Sequence, residues 1–265
     1  MILLKQVKNS ISVAFLLASV TIVSSAYALD VKDTSKAENP FESFKTGVSA
    51  YKNGNKEEAV KALKYAAENG HTGARWKLAR MYADGDGVPE NEYESYLYFL
   101  KIIQMGAEPG SSNESYVADA LVEVANFIRK GIPKTTVKAN PAYARSLYLQ
   151  AAINYGHPQA QFMIGMMMLN GEGGEKNVVQ AARWFQLASQ KGHVGAQAML
   201  GDMLCNAGKT IRGLAMITAA YNRANQDDRK WIGPIQERVS AELNTEDLIT
   251  ASTLAGTMMS NDDTF

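Results

Sequence analysis

The sequence is short of several features that define common protein classes. It has one cysteine, Cys205, so its fold cannot depend on an internal disulfide framework. Its 27 basic and 27 acidic side chains cancel, and this balance argues against nucleic acid as a partner because contact with phosphates needs a surplus of Lys and Arg. We therefore expect stability to come from an apolar core and no nucleic-acid binding.

Long apolar runs are scarce as well. One largely apolar run, residues 11–23, follows two lysines and precedes Ala26-Tyr27-Ala28. This order is typical of a secretory signal peptide, and the run is too short to cross about 30 Å of hydrocarbon comfortably. We expect a signal peptide over residues 1–28 that is cleaved after Ala28, with no stable membrane insertion of the mature chain; an uncleaved membrane anchor is the alternative. The polar, non-periodic residues 29–40 are predicted to form a flexible tether.

What the sequence does contain is a repeat. Ala-x-x-x-(Leu/Val/Ile)-small-x-x-(Tyr/Ile/Met)-x-x-Gly recurs at residues 74–85, 120–131 and 160–171, and a fourth copy at 196–207 ends in Ala. The closing glycines give a period of 36 residues, from Gly70 to Gly106 and from Gly156 to Gly192. The third unit is longer by 14 residues, which we place as ten around residues 108–116 and four in its mid-unit loop. A fixed period predicts units that bury their apolar faces by stacking, which favours binding over catalysis.

The spacing within each unit is helical. Apolar residues recur every three or four positions, a glycine loop divides the unit, and a bulky residue pair occupies one place in nearly every second half. Almost no strand pattern is present. We predict an all-α fold, an α/α solenoid of helix-turn-helix units over residues 41–224, with C-terminal capping helices and a frayed tail over residues 225–265. Pro234 is tolerated only near a helix start, so the regular part of the helix there is predicted to begin near Gly233.

These repeats resemble a known family. A 36-residue unit with Ala-x-x-x-Leu-Gly-x-x-Tyr-x-x-Gly-x-Gly-Val, followed by a helix ending Ala-Ala-Glu-x-Gly-His, is similar to the Sel-like repeat, a relative of the tetratricopeptide repeat. The best matches are residues 66–71, 74–88 and 160–193. The whole layout also resembles a family of exported regulators of rhizobia and related alphaproteobacteria. That resemblance implies a periplasmic inhibitor that binds the periplasmic domain of a membrane sensor histidine kinase and controls exopolysaccharide synthesis and motility.

Helical angles place a candidate binding surface on the first helix of each unit. With about 100° per residue, the second, third and sixth positions after the repeat alanine lie opposite the core stripe, on the side expected to line a concave groove. These positions hold Trp76, Lys77 and Arg80; Val122, Glu123 and Asn126; Phe162, Met163 and Met166; Ala198, Met199 and Asp202.

We take a subset of these positions as partner-binding candidates. They are Trp76, Lys77, Arg80, Val122, Asn126, Phe162, Met166 and Asp202. Packing between units is the alternative, above all for Phe162 and Met163. Replacing Trp76 or Arg80 is expected to weaken the complex and to leave thermal unfolding nearly unchanged.

Motifs for catalysis, cofactors and metals are not recognisable. The three histidines, His71, His157 and His193, share one repeat position and therefore lie at least a unit apart, which does not suit a metal site. No nucleophile elbow, phosphate loop or complete calcium loop occurs, and Cys205 is interpreted as a small buried hydrophobe in preference to a redox sensor. We predict no enzyme activity, cofactor or metal. The alternatives are an envelope scaffold for cell-wall enzymes and, least favoured, an exported hydrolase of the β-lactamase-like Sel-repeat type.

Overall fold

The computed structural model describes residues 39–262, which form twelve α-helices and no strand. The predicted all-α class is confirmed. The predicted signal peptide and nearly all of the tether lie outside the described residues. The helices are α1 (Pro40–Lys52), α2 (Lys56–Glu68), α3 (Thr72–Asp84), α4 (Glu92–Met105), α5 (Glu114–Lys130), α6 (Pro141–Asn154), α7 (Pro158–Asn170), α8 (Val178–Gln190), α9 (Val194–Asn206), α10 (Thr210–Arg223), α11 (Gln226–Ser240) and α12 (Thr245–Asp262).

Helices α1 to α10 pair into five hairpins, units one to five, and each second helix also packs on the first helix of the next unit. This is the predicted solenoid. First helices of adjacent units meet as well, α3 with α5 and α9 with α11. Within residues 39–262, no helix is both long and apolar enough to span a bilayer. Asn39 caps α1 and Pro40 begins it, so the last two residues assigned to the tether belong to the first unit.

Helix starts are set by recurring capping residues. The second helices of units one to four each begin after an asparagine whose side chain accepts a backbone N–H of the first turn: Asn55, Asn91, Asn140 and Asn177. Asparagine suits this position because its oxygen satisfies a donor that has no partner inside the helix. The first helices α3 and α7 end at Gly85 and Gly171, whose φ values of 65° and 72° explain the glycine there.

The loops after these glycines fasten each unit to the one before it. Asp86 accepts hydrogen bonds from Tyr51 and Lys56 of unit one, and these bonds hold the pKa of the Asp86 carboxyl below its usual range. Glu172 is paired with Arg129 of unit three at 3.2 Å. The loops thus link units in addition to closing helices.

Small residues let the two helices of a unit approach closely. Gly165 of α7 faces Phe185 of α8, and a Cβ atom at Gly165 would lie 2.5 Å from the Phe185 ring. Ala79 and Ala125, at the same register, are fully buried. The glycine inside α7 therefore has the packing reason expected from its helical cost of about 1 kcal/mol.

Unit three is longer than its neighbours in three places. The predicted assignment of four extra residues to its mid-unit loop is the part that differs from the structure. The ten-residue insertion divides between a longer connection before α5 and one extra turn of that helix, which has 17 residues where α3 and α7 have 13. The mid-unit loop supplies three of the other four residues and not all of them, because Gly131 to Asn140 is nine steps whereas Gly85 to Asn91 and Gly171 to Asn177 are six. The fourth lies between Asn140 and Gly156, which are 16 steps apart, whereas Asn91 to Gly106 and Asn177 to Gly192 are 15. Counted from the capping asparagine, it is Tyr148, and not the next residue, that occupies the fully buried place held by Phe99 and Phe185 in units two and four.

The C-terminal helices cap the array in a different arrangement from a sixth hairpin. Helix α12 packs mainly on α10 of unit five, where Ala255 meets Ala215 and Ala219, while α11 packs on α9 and α10. The predicted helix start near Gly233 is wrong, because α11 begins at Gln226 and continues through Pro234. Asn225 caps this helix through Asp228 N–H, and the exposed proline is accommodated within it.

Candidate functional site

Two adjacent clefts lie on the face formed by the first helices of the units, which we call the first-helix face. The Trp76 cleft is lined by Trp76, Arg80, Asp119, Val122, Glu123, His157 and Gln159. The Trp231 cleft is lined by Gln159, Phe162, Gly192, His193, Val194, Gly195, Asp228 and Trp231. Gln159 belongs to both, so the clefts are neighbours on either side of the amino end of α7.

The Trp76 cleft holds a network of hydrogen bonds between three units. The indole Nε1 of Trp76 donates to Asp119 Oδ2 at 3.1 Å, and His157 Nε2 lies 2.9 Å from Asp119 Oδ1. Arg80 is paired with Glu123 at 2.9 Å. The cleft therefore presents an aromatic ring beside a carboxylate that no arginine or lysine of residues 39–262 neutralises.

The Trp231 cleft also holds a tryptophan hydrogen-bonded to an aspartate, but this pair lies within one helix. Trp231 Nε1 donates to Asp228 Oδ1 at 3.1 Å, both residues being on α11. The ring of Phe162 stacks on His193 with centroids 4.5 Å apart, and His193 Nε2 lies 2.7 Å from Gln159 Oε1. Burial lowers the pKa of His193, an effect that nearby Asp228 opposes.

The histidines connect helix starts to the clefts. The Nδ1 atoms of His71, His157 and His193 accept the backbone N–H three residues ahead, so each imidazole caps a first helix. In the two clefts Nε2 faces Asp119 or Gln159. Because both ring nitrogens of His157 are already engaged, this imidazole is poorly placed to take a proton from a substrate.

The described histidines and Cys205 do not lie together as ligands of one metal ion. Within residues 39–262, no three His, Cys, Asp or Glu side chains converge as metal ligands would. Cys205 is half-buried where α9 meets α10, with its Sγ atom near Gly213, and burial raises the pKa of its thiol.

Of the predicted binding residues, Trp76, Arg80 and Val122 share one cleft and Phe162 lines the next. Val122 lies at the bottom of the Trp76 cleft, since it is only 4% exposed. Trp76 packs against the central core and Arg80 pairs with Glu123, so we now expect their replacement to lower stability as well as partner binding.

The other four candidates are engaged within the molecule. The ammonium group of Lys77 lies 3.3 Å from the ring centroid of Tyr51, and burial lowers the pKa of Lys77. Asn126 accepts a hydrogen bond from the Tyr148 hydroxyl, Asp202 is paired with Arg238 of α11, and Met166 packs on the core between α7 and α9.

The four residues of this face that were not chosen as candidates are engaged too. Glu123 is paired with Arg80. Met163 and Met199 pack against the core and Ala198 is buried in it, which agrees with packing between units for Met163 as for Phe162. A contact of any of these residues with a partner stays a prediction.

Sequence reasoning missed several cleft residues, namely Asp119, His157, Gln159, His193, Asp228 and Trp231. Asp119 and Gln159 immediately precede the repeat alanine, a position we did not consider. The shared position of the histidines was a usable signal, because it predicts a shared capping role. Asp228 and Trp231 lie on α11, outside the repeat, and no periodicity pointed to them.

The fold and the comparisons agree on the class of protein. Residues 72–106, 118–154 and 158–193 match the Sel1 repeat model. A solved Sel1 repeat protein from Oxalobacter formigenes superposes with a TM-score of 0.62 at 24% identity, over 86% of this chain and 91% of that one, which supports the fold.

Two curated relatives are more similar in sequence. The chain is 43% identical to an exopolysaccharide production negative regulator of Rhizobium meliloti (strain 1021), over 86% of this chain and 85% of the relative. It is 42% identical to a protein of the same name from Rhizobium leguminosarum bv. viciae, over 89% of each chain. The chain therefore belongs to the family of Sel1-repeat proteins that these relatives represent.

Proposed function

We propose that this protein is a periplasmic, non-enzymatic negative regulator of exopolysaccharide production and motility. It acts by binding the periplasmic domain of a membrane sensor histidine kinase and holding that kinase inactive. The observation that carries the proposal is the 42–43% identity, over most of both chains, to relatives named as negative regulators of exopolysaccharide production.

The structure supports a binding role in two ways. Stacked helical repeats offer an extended surface on a rigid array, and such repeats are protein-interaction modules. The clefts of the first-helix face combine aromatic rings, a carboxylate and half-exposed polar groups, which is the composition of protein interfaces.

Direct binding and a phenotype test this proposal. The mature chain should bind the purified periplasmic domain of a sensor kinase from the same cells, and deletion of its gene should give mucoid colonies with raised kinase signalling. Absence of binding together with unchanged exopolysaccharide would refute the regulator. Recovery of cell-wall enzymes instead, in a pull-down from the envelope, would favour the scaffold.

A substitution at Trp76 locates the interface. Trp76→Phe keeps an aromatic ring against the core but removes the indole N–H that Asp119 accepts, so we expect weaker partner binding with a small loss of stability. Tyr93→Phe on α4, outside both clefts, is the matched control. Calorimetric titration with the kinase domain, alongside thermal melting, separates the two effects; equal affinity of both variants would remove Trp76 from the interface.

A further inference from the structure

The two clefts share a feature that the proposed function leaves unexplained, a tryptophan hydrogen-bonded to an aspartate. Asp119 accepts from Trp76 and faces His157, and Asp228 accepts from Trp231 and from the Asn225 amide. Among residues 39–262 neither carboxylate has a lysine or arginine partner. Other carboxylates of the same face do have one, since Glu123 is paired with Arg80 and Asp202 with Arg238.

A carboxylate held beside an indole favours a cation. The Asp119 side chain is 40% exposed, so its charge is accessible from the cleft. Guanidinium and ammonium groups bind carboxylates through charge-assisted hydrogen bonds and also stack on indole rings. The amino end of α7 adds about half a positive charge, which does not cancel the full charge of Asp119. An acidic ligand would meet Asp119 and Glu123 together, and is disfavoured.

The distance between the clefts limits the length of a segment that contacts both. The clefts lie on either side of Gln159, but Asp119 is on α5 and Asp228 on α11, so α7 and α9 lie between the two carboxylates. With about 10 Å between neighbouring packed helices, the carboxylates are at most about 30 Å apart. An extended chain advances about 3.3 Å per residue, so one extended segment covers this distance in about nine residues or fewer.

We propose that each cleft receives one basic side chain of the protein partner, and that the segment in contact carries two Lys or Arg residues in extended conformation, about nine positions apart or fewer. The inference rests on the proposed function and names the chemistry that its binding surface recognises.

Labelled peptides test this without the kinase. Gly-Ser peptides carrying two arginines at a series of separations, from one residue to about fifteen, are titrated with the mature protein by fluorescence anisotropy. Matched peptides carry citrulline, which has the shape of arginine without its charge. We expect arginine peptides to bind about tenfold tighter than citrulline peptides, with the strongest binding at a separation of about nine residues or fewer.

Variants assign the binding to the clefts. Asp119→Asn and Asp228→Asn should each weaken the arginine peptide about fivefold, while Asp227→Asn, an exposed carboxylate next in sequence and paired with Lys230, should not. Thermal melting checks that each variant is folded. Equal binding of arginine and citrulline peptides, no measurable binding, or an equal loss in Asp227→Asn would overturn the inference.

The kinase domain distinguishes this failure from failure of the proposed function. If the wild-type chain binds the kinase domain and the two Asn variants bind it equally well, the function stands and the basic-segment inference falls. If the kinase domain does not bind while the arginine peptides do, the clefts recognise a basic segment of another protein.

Discussion

At the scale of single residues, Gly165 shows how tightly the two helices of unit four are packed. A methyl group there would lie 2.5 Å and 2.7 Å from two atoms of the fully buried Phe185 ring. We expect Gly165→Ala to lower the free energy of unfolding by about 2 kcal/mol, because the steric cost exceeds the gain in helix propensity. Urea unfolding followed by circular dichroism measures this.

Gly256 provides the control, because it lies in α12 with no atom within 4 Å of its would-be Cβ. Gly256→Ala should raise the free energy of unfolding by about 0.5–1 kcal/mol through helix propensity alone. A destabilised Gly256→Ala, or a stabilised Gly165→Ala, would contradict the packing described for these helices.

The capping histidines make stability depend on pH. Burial lowers the pKa of His71 and of His193, so the folded chain binds fewer protons than the unfolded chain as pH falls below the ordinary value of about 6.5. The free energy of unfolding therefore decreases from neutral pH toward about pH 5. Protonation of Nδ1 would also remove the acceptor that caps each helix.

Replacing both histidines with asparagine tests this account. Asparagine also caps helices but does not titrate, so His71→Asn/His193→Asn should lose less unfolding free energy than the parent between about pH 7.5 and about pH 5.5. The measurement is urea unfolding at both pH values, and the comparison is the change with pH because the variant loses ring stacking on Phe162. An unchanged pH dependence would assign it to other groups.

The sequence predicted which residues share a face of a helix, but not which side chains they contact. Helical angles correctly placed Trp76 and Arg80 on one face, because angle depends only on position within a helix. They could not show that Lys77 lies over Tyr51 or that Asp202 is paired with Arg238, since those partners come from other units. Side-chain pairing across units has no local signal in the sequence.

At the scale of helices, Pro234 is the clearest departure from local rules. It lies inside α11, where its ring removes a backbone donor, and it is exposed. We expect Pro234→Ala to raise the free energy of unfolding by about 1 kcal/mol, the helical gain being partly offset by the greater freedom of the unfolded chain. Thermal and urea unfolding check this; a loss of stability would mean that the backbone geometry set by Pro234 is needed for packing on α9.

Helix boundaries in the regular units followed from sequence, whereas those of unit three and α11 did not. Period and glycine loops are local signals, and they located the hairpins. The single extra residue between Asn140 and Gly156 hides the correspondence of Tyr148 with Phe99 and Phe185 when positions are counted from Gly156 alone. Tertiary packing selected that register.

At the scale of the molecule, α12 closes the array on the second-helix side. Removing residues 245–265 should expose the face of α10 that holds Ala215 and Ala219, and so lower the stability of the last units first. Hydrogen exchange is expected to become faster in α9, α10 and α11 and to stay unchanged in α3, because repeat arrays are stabilised between neighbours. Uniformly faster exchange would show that all units unfold together.

The longer connection before α5 has a practical use. Residues 108–110 are exposed and belong to none of the hairpins, since the connection lengthens the path between two units without adding a helix to the stack. A fluorescent tag or an affinity epitope inserted at that point would leave the stacked layers as they are. The protein thus offers a handle for following its association in living cells.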